Sequence, residues 1–505
     1  MTIRTELAGG GSGPANLRPL LATALDALAK GVVERAGPLP AGGPGAVDAL
    51  LAADPLPEDG IGAEPALAGV LQDFAAGAAD PADPACAAHL HTPPLAVAVA
   101  AEVVAAALNS SLDSWDQAPS GNRAESEVVR AMAACTGYDP DTAGGAVTTG
   151  GTESNLTGLL LAREHALAAE FGAHPVASGF PPQAHGRLRL LCSETTHFSV
   201  ARSAGVLGLG EDSVVGVPVD DEYRMDPRAL HSTLTDLRER GDVPVAVIAT
   251  AGTTDLGVLD PLAEIARIAG EHGTWLHVDA AYGGGALFSQ RLAPLLEGVE
   301  LADSVSIDLH KLGWQPVAAG VFLTRRATAF EPVERRVAYL NTADDEDAGF
   351  RSLLGRSLRT TRRPDAVKIL TTFRALGRRG LGELVDSGHD QARHAAAAVR
   401  AHPRMQLYRD PVLTTVVFRY LPESGDPDPV NARLRRRLLD EGTAVVGRTE
   451  LDGSVWLKLT LLNPNTTGGD IDALLADVLA AGNKEVRCPA AGRTTRLRRT
   501  QPRRT

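Results

Sequence analysis

Four short segments carry residues whose types and spacing could do chemistry, and each follows an apolar, strand-like run. In Thr148-Thr149-Gly150-Gly151-Thr152-Glu153-Ser154-Asn155, two glycines and a hydroxyl residue open a helical stretch. The unpaired amides and dipole of such a helix start suit a phosphate, although a plain threonine cap after a tight turn uses the same residues. In His277-Val278-Asp279-Ala280-Ala281-Tyr282, an acid ends an apolar run. It either caps a helix or pairs with an arginine, or it is buried to hold a proton on a heterocyclic nitrogen. In Ser306-Ile307-Asp308-Leu309-His310-Lys311, a lysine leaves a buried strand, and lysine is seldom buried without a task. Desolvation favours its nucleophilic amine and Schiff-base chemistry; a snorkelling surface lysine is the other reading. The fourth segment, Thr195-Thr196-His197-Phe198-Ser199, has a relative in Thr250-Ala251-Gly252-Thr253-Thr254. His197 there is either a ring that stacks on a ligand or a hydrogen-bonded structural histidine.

Together, a phosphate cradle, a lysine for an aldehyde, a carboxylate for a pyridinium nitrogen and a flat imidazole for a ring face describe pyridoxal phosphate. Through Trp275-Leu276-His277-Val278-Asp279-Ala280-Ala281-Tyr282 and the spacing from Asp279 to His310-Lys311, the stretch 89–376 resembles the pyridoxal-phosphate-dependent group II amino-acid decarboxylases. That family holds aromatic-amino-acid, glutamate and diaminobutyrate decarboxylases. The resemblance implies a fold-type-I α/β architecture: a large unit with a mostly parallel seven-stranded sheet covered by helices, a small C-terminal α+β unit and an N-terminal helical segment. It also implies a homodimer with sites completed across the interface. By motif, Lys311 carries the cofactor aldehyde, Asp279 binds the pyridine nitrogen, His197 stacks on one ring face and Ala281 packs on the other. Thr254 sits near the ring hydroxyl, and Gly151, Thr152, Asp308 and His310 hold the phosphate. The family often has Asn where Asp308 stands, and a carboxylate beside a phosphate is repulsive. Lys311, His197 and Asp279 are the expected catalytic residues. Aromatic-amino-acid decarboxylases deliver a proton to Cα from a tyrosine on a mobile loop; the corresponding stretch here, 343–356, has none. Tyr339 and His197 are the candidate acids.

The segments His89-Leu90-His91-Thr92-Pro93-Pro94 and Ser114-Trp115-Asp116-Gln117-Ala118-Pro119 look like the family's part that reaches a neighbouring subunit's site. Aromatic decarboxylases place a Phe against the substrate ring where this chain has Asp113. An aspartate there suits a distal ammonium, or it only caps a turn. Asp113 and Pro93 are therefore the expected substrate contacts. The stretch from Leu108-Asn109 to Pro119, and Gly355-Arg356-Ser357 followed by Thr360-Thr361-Arg362-Arg363, are similar to bacterial diaminobutyrate and siderophore-type lysine decarboxylases. The implied reaction is decarboxylation of a basic diamino acid, 2,4-diaminobutyrate or lysine. Aromatic or acidic amino-acid decarboxylation, transamination with Arg448 as the carboxylate clamp, and a cofactor-binding scaffold without turnover are the alternatives.

The elements that must position these residues read as alternating strands and helices. Runs 188–191, 245–250, 275–278, 305–307 and 317–323 predict buried strands, and 153–170 and 261–272 predict helices between some of them. Such alternation implies a parallel, helix-covered sheet. Before it, 17–33 predicts a helix, while the glycine cluster 9–13 and the proline-rich pieces 38–44 and 55–57 predict loops. The alanine-rich run 95–108, interrupted by Glu102, is too short to span a bilayer and reads as a buried helix. After the charged stretch 325–365 come a predicted helix at 367–376, strands at 412–418 and 455–461, and helices at 429–441 and 470–481. The expected division is 1–90 as an N-terminal segment, partly mobile, 91–375 as the large cofactor-binding domain, 376–485 as the small domain, and 486–505 as a disordered arginine-rich tail.

Composition bounds the rest. The chain has 505 residues, 44% hydrophobic and 22% charged, which is globular. Its 49 basic residues against 62 acidic ones give −13. That balance disfavours nucleic acid or an anionic membrane surface as the main partner. The 4 cysteines form no C-x-x-C pair, so neither a disulfide framework nor a metal site is expected. The first residues lack the apolar core of a signal peptide. The expectation is a soluble, cytoplasmic protein acting on a small amino acid.

Overall fold

The structure is a computed structural model and describes residues 7–51 and 54–487. It opens with helices α1 (Gly13–Arg35), α2 (Gly43–Leu50), α3 (Ala63–Gly77), α4 (Ala96–Leu108) and α5 (Pro119–Thr136). There follow β1 (Gly144–Thr148), α6 (Gly151–Phe171), α7 (Pro175–Ser178), β2 (Leu188–Ser193), α8 (Ser199–Val206), β3 (Val214–Val217) and α9 (Pro227–Glu239). Next come β4 (Val243–Thr250), α10 (Leu262–Glu271), β5 (Trp275–Ala280), β6 (Ser304–Asp308) and β7 (Gly320–Thr324). The remainder is α11 (Ala343–Asp347), α12 (Ala366–Ala401), β8 (Met405–Leu407), β9 (Thr415–Tyr420), α13 (Pro427–Glu441), β10 (Gly447–Leu451), β11 (Ser454–Thr460) and α14 (Gly468–Arg487).

Seven strands form one sheet in the order β1-β7-β6-β5-β4-β2-β3. β7 runs antiparallel to both β1 and β6, and the other pairings are parallel. Every residue of β4, β5 and β6 is buried. Helices cover both faces, which is why β4 is a nearly continuous apolar run, while β5 and β6 alternate with polar residues that are buried as well. The C-terminal ends of β1, β2, β4, β5 and β6 therefore share one edge, and all the segments singled out for chemistry start there. A second, antiparallel sheet of order β10-β11-β9-β8 has its own apolar core with α13 and α14. Tyr282 joins the two layers: its hydroxyl lies 2.8 Å from Thr414 Oγ1 and 2.9 Å from Thr415 Oγ1 at the start of β9.

Five elements differ from the sequence-based expectations. The helix expected at 17–33 extends to both sides, and α2 starts inside the expected loop 38–44, with a proline in its first turn where no amide is lost. α4 is not a buried helix: only Ala98 and Ala105 are covered, while Val99, Val104 and Leu108 are 44%, 57% and 65% exposed. β7 begins at Gly320, not at Val317, which stands in the preceding loop. The helix expected at 367–376 breaks at Gly377 (φ 64°) and then continues to Ala401. The expected tail, apart from its first two residues, lies outside the described residues.

Candidate active site

Two strands and one helix build the base of a cavity of about 310 Å³ at the shared strand edge. Side chains alternate along a strand, so Trp275, His277 and Asp279 project to one face of β5, and Ser304, Ser306 and Asp308 to one face of β6. The register pairs His277 with Ser304 and Asp279 with Ser306. This makes a polar patch inside an apolar sheet, and α6 lies across it. α6 turns Gly151, Asn155 and Gly158 toward the sheet at helical spacing. A Cβ on Gly158 would fall 2.8 Å from His277 Nδ1, so only glycine leaves room for that ring.

The buried groups satisfy one another. Asn155 Nδ2 donates to Asp279 Oδ2 at 2.7 Å, and the Ala281 amide and the Ser306 hydroxyl reach Asp279 Oδ1 at 3.1 and 3.2 Å. The second Asn155 proton points to Ser199 Oγ at 3.0 Å, which in turn lies 2.9 Å from His197 Nδ1. Burial lowers the proton affinity of His197, with Asp279 opposing, and lowers that of His277 and His310 as well.

Lys311 leaves β6 through a tight turn in which its amide meets the Asp308 carbonyl at 3.1 Å and the Leu309 amide meets Ala319 O at 2.7 Å. Its Nζ lies 3.0 Å from Asp308 Oδ2, and His310 Nε2 lies 3.5 Å from the same oxygen. The loop beyond is pinned by the buried Lys368, whose Nζ donates to Pro316 O at 2.9 Å and pairs with Glu102 of α4. Thr92 Oγ1 donates to His310 O at 3.2 Å and the Leu95 amide to Trp314 O at 2.9 Å, so the 89–95 segment lies against this same turn.

The cavity fits a phosphorylated aldehyde cofactor in kind. At its mouth the first amides of α6 have no intrahelical partner. A Cβ on Gly151 would stand 2.9 Å from Ala281 Cβ and 3.2 Å from Asp308 Oδ2, so the glycine keeps that end open. Asp308 Oδ1 and His310 Nδ1 are buried without a hydrogen-bond partner, an arrangement that awaits another polar group. Asp308 also has a cation beside it, Lys311, which offsets repulsion toward an anion.

Gly151, Thr152, His197, Thr254, Asp279, Ala281, Asp308, His310 and Lys311 all line this one cavity. Pro93 and Asp113 do not; Asp113 is buried elsewhere, with its Oδ1 unpartnered. Tyr339 is 81% exposed and away from the cavity. Arg448, on β10, pairs with Glu450 at 2.5 Å, and among the described residues no arginine lines the cavity. Sequence reasoning gave no role to Asn155, Ser199, His277 or Ser306. Their signal was present: polar residues every second position in two otherwise apolar strands, and an asparagine one turn after Gly151.

The family described as the pyridoxal-dependent decarboxylase conserved domain matches residues 67–421. The chain is 42% identical over 424 residues to L-2,4-diaminobutyrate decarboxylase of Rhizobium meliloti (strain 1021), covering 84% of this chain and 82% of the relative. Against L-2,4-diaminobutyrate decarboxylase of Acinetobacter baumannii the identity is 36%, covering 85% of each. Among solved structures, the glutamate decarboxylase domain of diaminobutyrate-pyruvate transaminase and L-2,4-diaminobutyrate decarboxylase from Vibrio parahaemolyticus superposes with a TM-score of 0.86 at 35% identity, covering 95% of this chain and 98% of that one.

Proposed function

The chain belongs to the pyridoxal-dependent decarboxylase family, and on that premise we propose that it converts 2,4-diaminobutyrate to 1,3-diaminopropane and CO2, with lysine as the nearest alternative substrate. It is a pyridoxal-phosphate-dependent carboxy-lyase. The observation that carries the substrate reading is the 42% identity to a diaminobutyrate decarboxylase along 84% of the chain. The absence of an arginine from the lining supports decarboxylation over a transaminase-like carboxylate clamp.

When bound, pyridoxal phosphate supplies the sink for the electron pair left on Cα as CO2 departs. In this reading Lys311 Nζ would hold the cofactor at its aldehyde carbon. Asp308, 3.0 Å away, would keep the Lys311 amine in place as an ion pair whenever it is free. Asp279 holds a proton on the ring nitrogen, since an adjacent anion favours the cation. His197 and Ala281, which both line the cavity, would confine the ring between them. Thr254 serves the ring hydroxyl, and Gly151, Thr152 and His310 serve the phosphate. His197, whose charged form burial disfavours and so makes a readier acid, would hand a proton to Cα and be left as the neutral imidazole.

The distal ammonium is bound by Asp113, with Pro93 as a second substrate contact, from a neighbouring copy in a homodimer. Two observations support this. The Asp113 carboxylate is buried with an unpartnered oxygen, and the exposed apolar residues Leu25, Phe74 and Val104 leave α1, α3 and α4 with faces that a second copy can cover. The reading keeps the division at 90, 375 and 485, with 91–375 as the cofactor-binding unit. It also places the enzyme in the cytoplasm, supported by the free thiols of Cys86, Cys135 and Cys192.

The test is product analysis with 2,4-diaminobutyrate, lysine, phenylalanine and glutamate. Diamines from the first two, at the highest kcat/KM, are the expected result. A preference for phenylalanine or glutamate overturns the substrate reading, and an amine-free mixture overturns turnover itself. For the shared site, Lys311→Ala and Asp113→Asn chains mixed into verified hybrid dimers should recover activity that neither has alone.

A further inference from the structure

We propose that Asn155 is a positioning residue that couples Asp279 to His197 and fixes the imidazole in the tautomer with its proton on Nε2. The argument follows the polarity of the hydrogen bonds. The Asp279 carboxylate only accepts, so at 2.7 Å the Asn155 atom facing Oδ2 must be the NH2 group. A flipped amide would set two acceptors against each other. The orientation of Asn155 is thereby decided, and both arms of a chain follow from it.

On one arm, Asn155 Oδ1 faces His277 Nε2 at 3.0 Å and Ser306 Oγ at 2.9 Å. His277 must donate from Nε2, which leaves Nδ1 to accept from Ser304 Oγ at 2.8 Å. Ser304 itself accepts from Trp275 Nε1 at 2.9 Å, so its proton is available. On the other arm, the second Asn155 proton goes to Ser199 Oγ at 3.0 Å. Ser199 then has its own hydroxyl proton to give, and His197 Nδ1 lies 2.9 Å away. The Ser199 backbone amide also points at Nδ1, at 3.4 Å. An amide N–H can only donate, so two donors converge on that nitrogen. Its proton sits on Nε2, the opposite corner of a ring that lines the cavity.

Asn155, Ser199, His277, Ser304 and Ser306 are all at least 99% buried. Water cannot easily substitute for a missing member, and a buried donor left unpaired is costly. One amide thus serves the carboxylate at the ring nitrogen and, through a hydroxyl, the proton donor on the ring face. The inference deepens the role given to His197 above and rests on that reading for its consequence, but its test does not depend on turnover.

The experiment is 15N NMR of the full-length protein with labelled histidine, His197 being assigned by the signal lost in His197→Gln. The wild type should show an unprotonated Nδ1 and a protonated Nε2. Ser199→Ala removes one donor while leaving the Asp279 contacts in place, and should reduce the Nε2–H to Nδ1–H ratio roughly 5-fold, the ratio set by one net hydrogen bond of about 1 kcal/mol. Asn155→Leu, checked for folding by thermal melting, should reduce it similarly. A wild-type ring protonated on Nδ1, or a ratio unmoved in Ser199→Ala, overturns the proposal whatever the enzyme's substrate. Loss of diamine production with the tautomer ratio intact in wild type would instead count against the functional reading alone.

Discussion

Asp279 accepts from Asn155, Ala281 and Ser306, so an amide in its place would confront those donors with one of its own. Asp279→Asn should still bind cofactor, yet lose on the order of 10²-fold in kcat, as expected when a preorganised charge is removed from a site; steady-state kinetics beside a cofactor fluorescence titration separates the two effects, and near-normal turnover excludes the role. Lys311→Ala should keep its fold and lose both amine release and the cofactor adduct that borohydride otherwise traps on the chain, read by mass. His277 makes a further prediction at this scale. Burial pushes its pKa from 6.5 down to about 4. The unfolded chain takes up a proton below about pH 6.5 that the folded chain refuses until about 4, so this histidine costs no stability above that window and progressively more on descending through it. His277→Gln should therefore flatten the fall of the urea midpoint between pH 7 and 5; an unchanged slope would mean that other groups carry it.

At the scale of elements, α6 carries the site. Its first turn faces the expected phosphate, its second presents Asn155, and Gly158 on its third admits His277, while β5 and β6 supply the facing polar rows. Gly151→Ala tests this platform. The added methyl meets Ala281 Cβ at 2.9 Å, and Ala281 is held at the end of a fully buried strand. The cofactor Kd should rise at least about 10-fold, the loss that some 1.4 kcal/mol of lost contact represents, with the thermal midpoint little changed. Equal cofactor affinity in the variant would show that the helix start is not the phosphate cradle. The loop after Lys311 depends on a second element pair: Lys368 of α12, only 1% exposed, reaches both Pro316 O and Glu102 of α4. The turn that carries Lys311 is thereby tied to the helix whose other side is bare.

For the whole molecule, that bare side decides the prediction. Leu21, Leu25, Leu28 and Val32 recur along α1 at helical spacing and are all exposed, as are Val70 and Phe74 on α3. A lone chain leaves these apolar stripes in water, so the protein should sediment as a dimer of its 52.6 kDa chain. Val104→Glu combined with Leu25→Glu should give monomers that have lost activity while retaining their helical content. Fully active monomers would argue that each chain completes its own site.

Lys311, Asp279 and the Gly150-Gly151-Thr152 turn stood out in the sequence because each is punctuation: a charged or glycine residue breaking an apolar run where a buried strand must end; His197 stood out only among the hydroxyls of Thr195, Thr196 and Ser199. The alternation of strands and helices was legible for the same reason, through runs whose length and composition suit burial on both faces. The small-sheet strands β8 and β10 and the helices α2 and α3 were not, because short or alanine-rich segments carry little periodicity of their own and form against neighbours distant in the chain. Asn155, Ser199, His277 and Ser306 were visible as letters but not as a network. Only the pairing of β5 with β6, the laying of α6 across them and the start of α8 beside it bring groups from four separate stretches within hydrogen-bond range. The exposure of α4 was likewise a tertiary outcome: an apolar helix reads the same in sequence whether its own chain or another copy is to cover it. Sequence determines which residues can do chemistry and where strands must end; packing decides which polar atoms meet, and so where each proton lies.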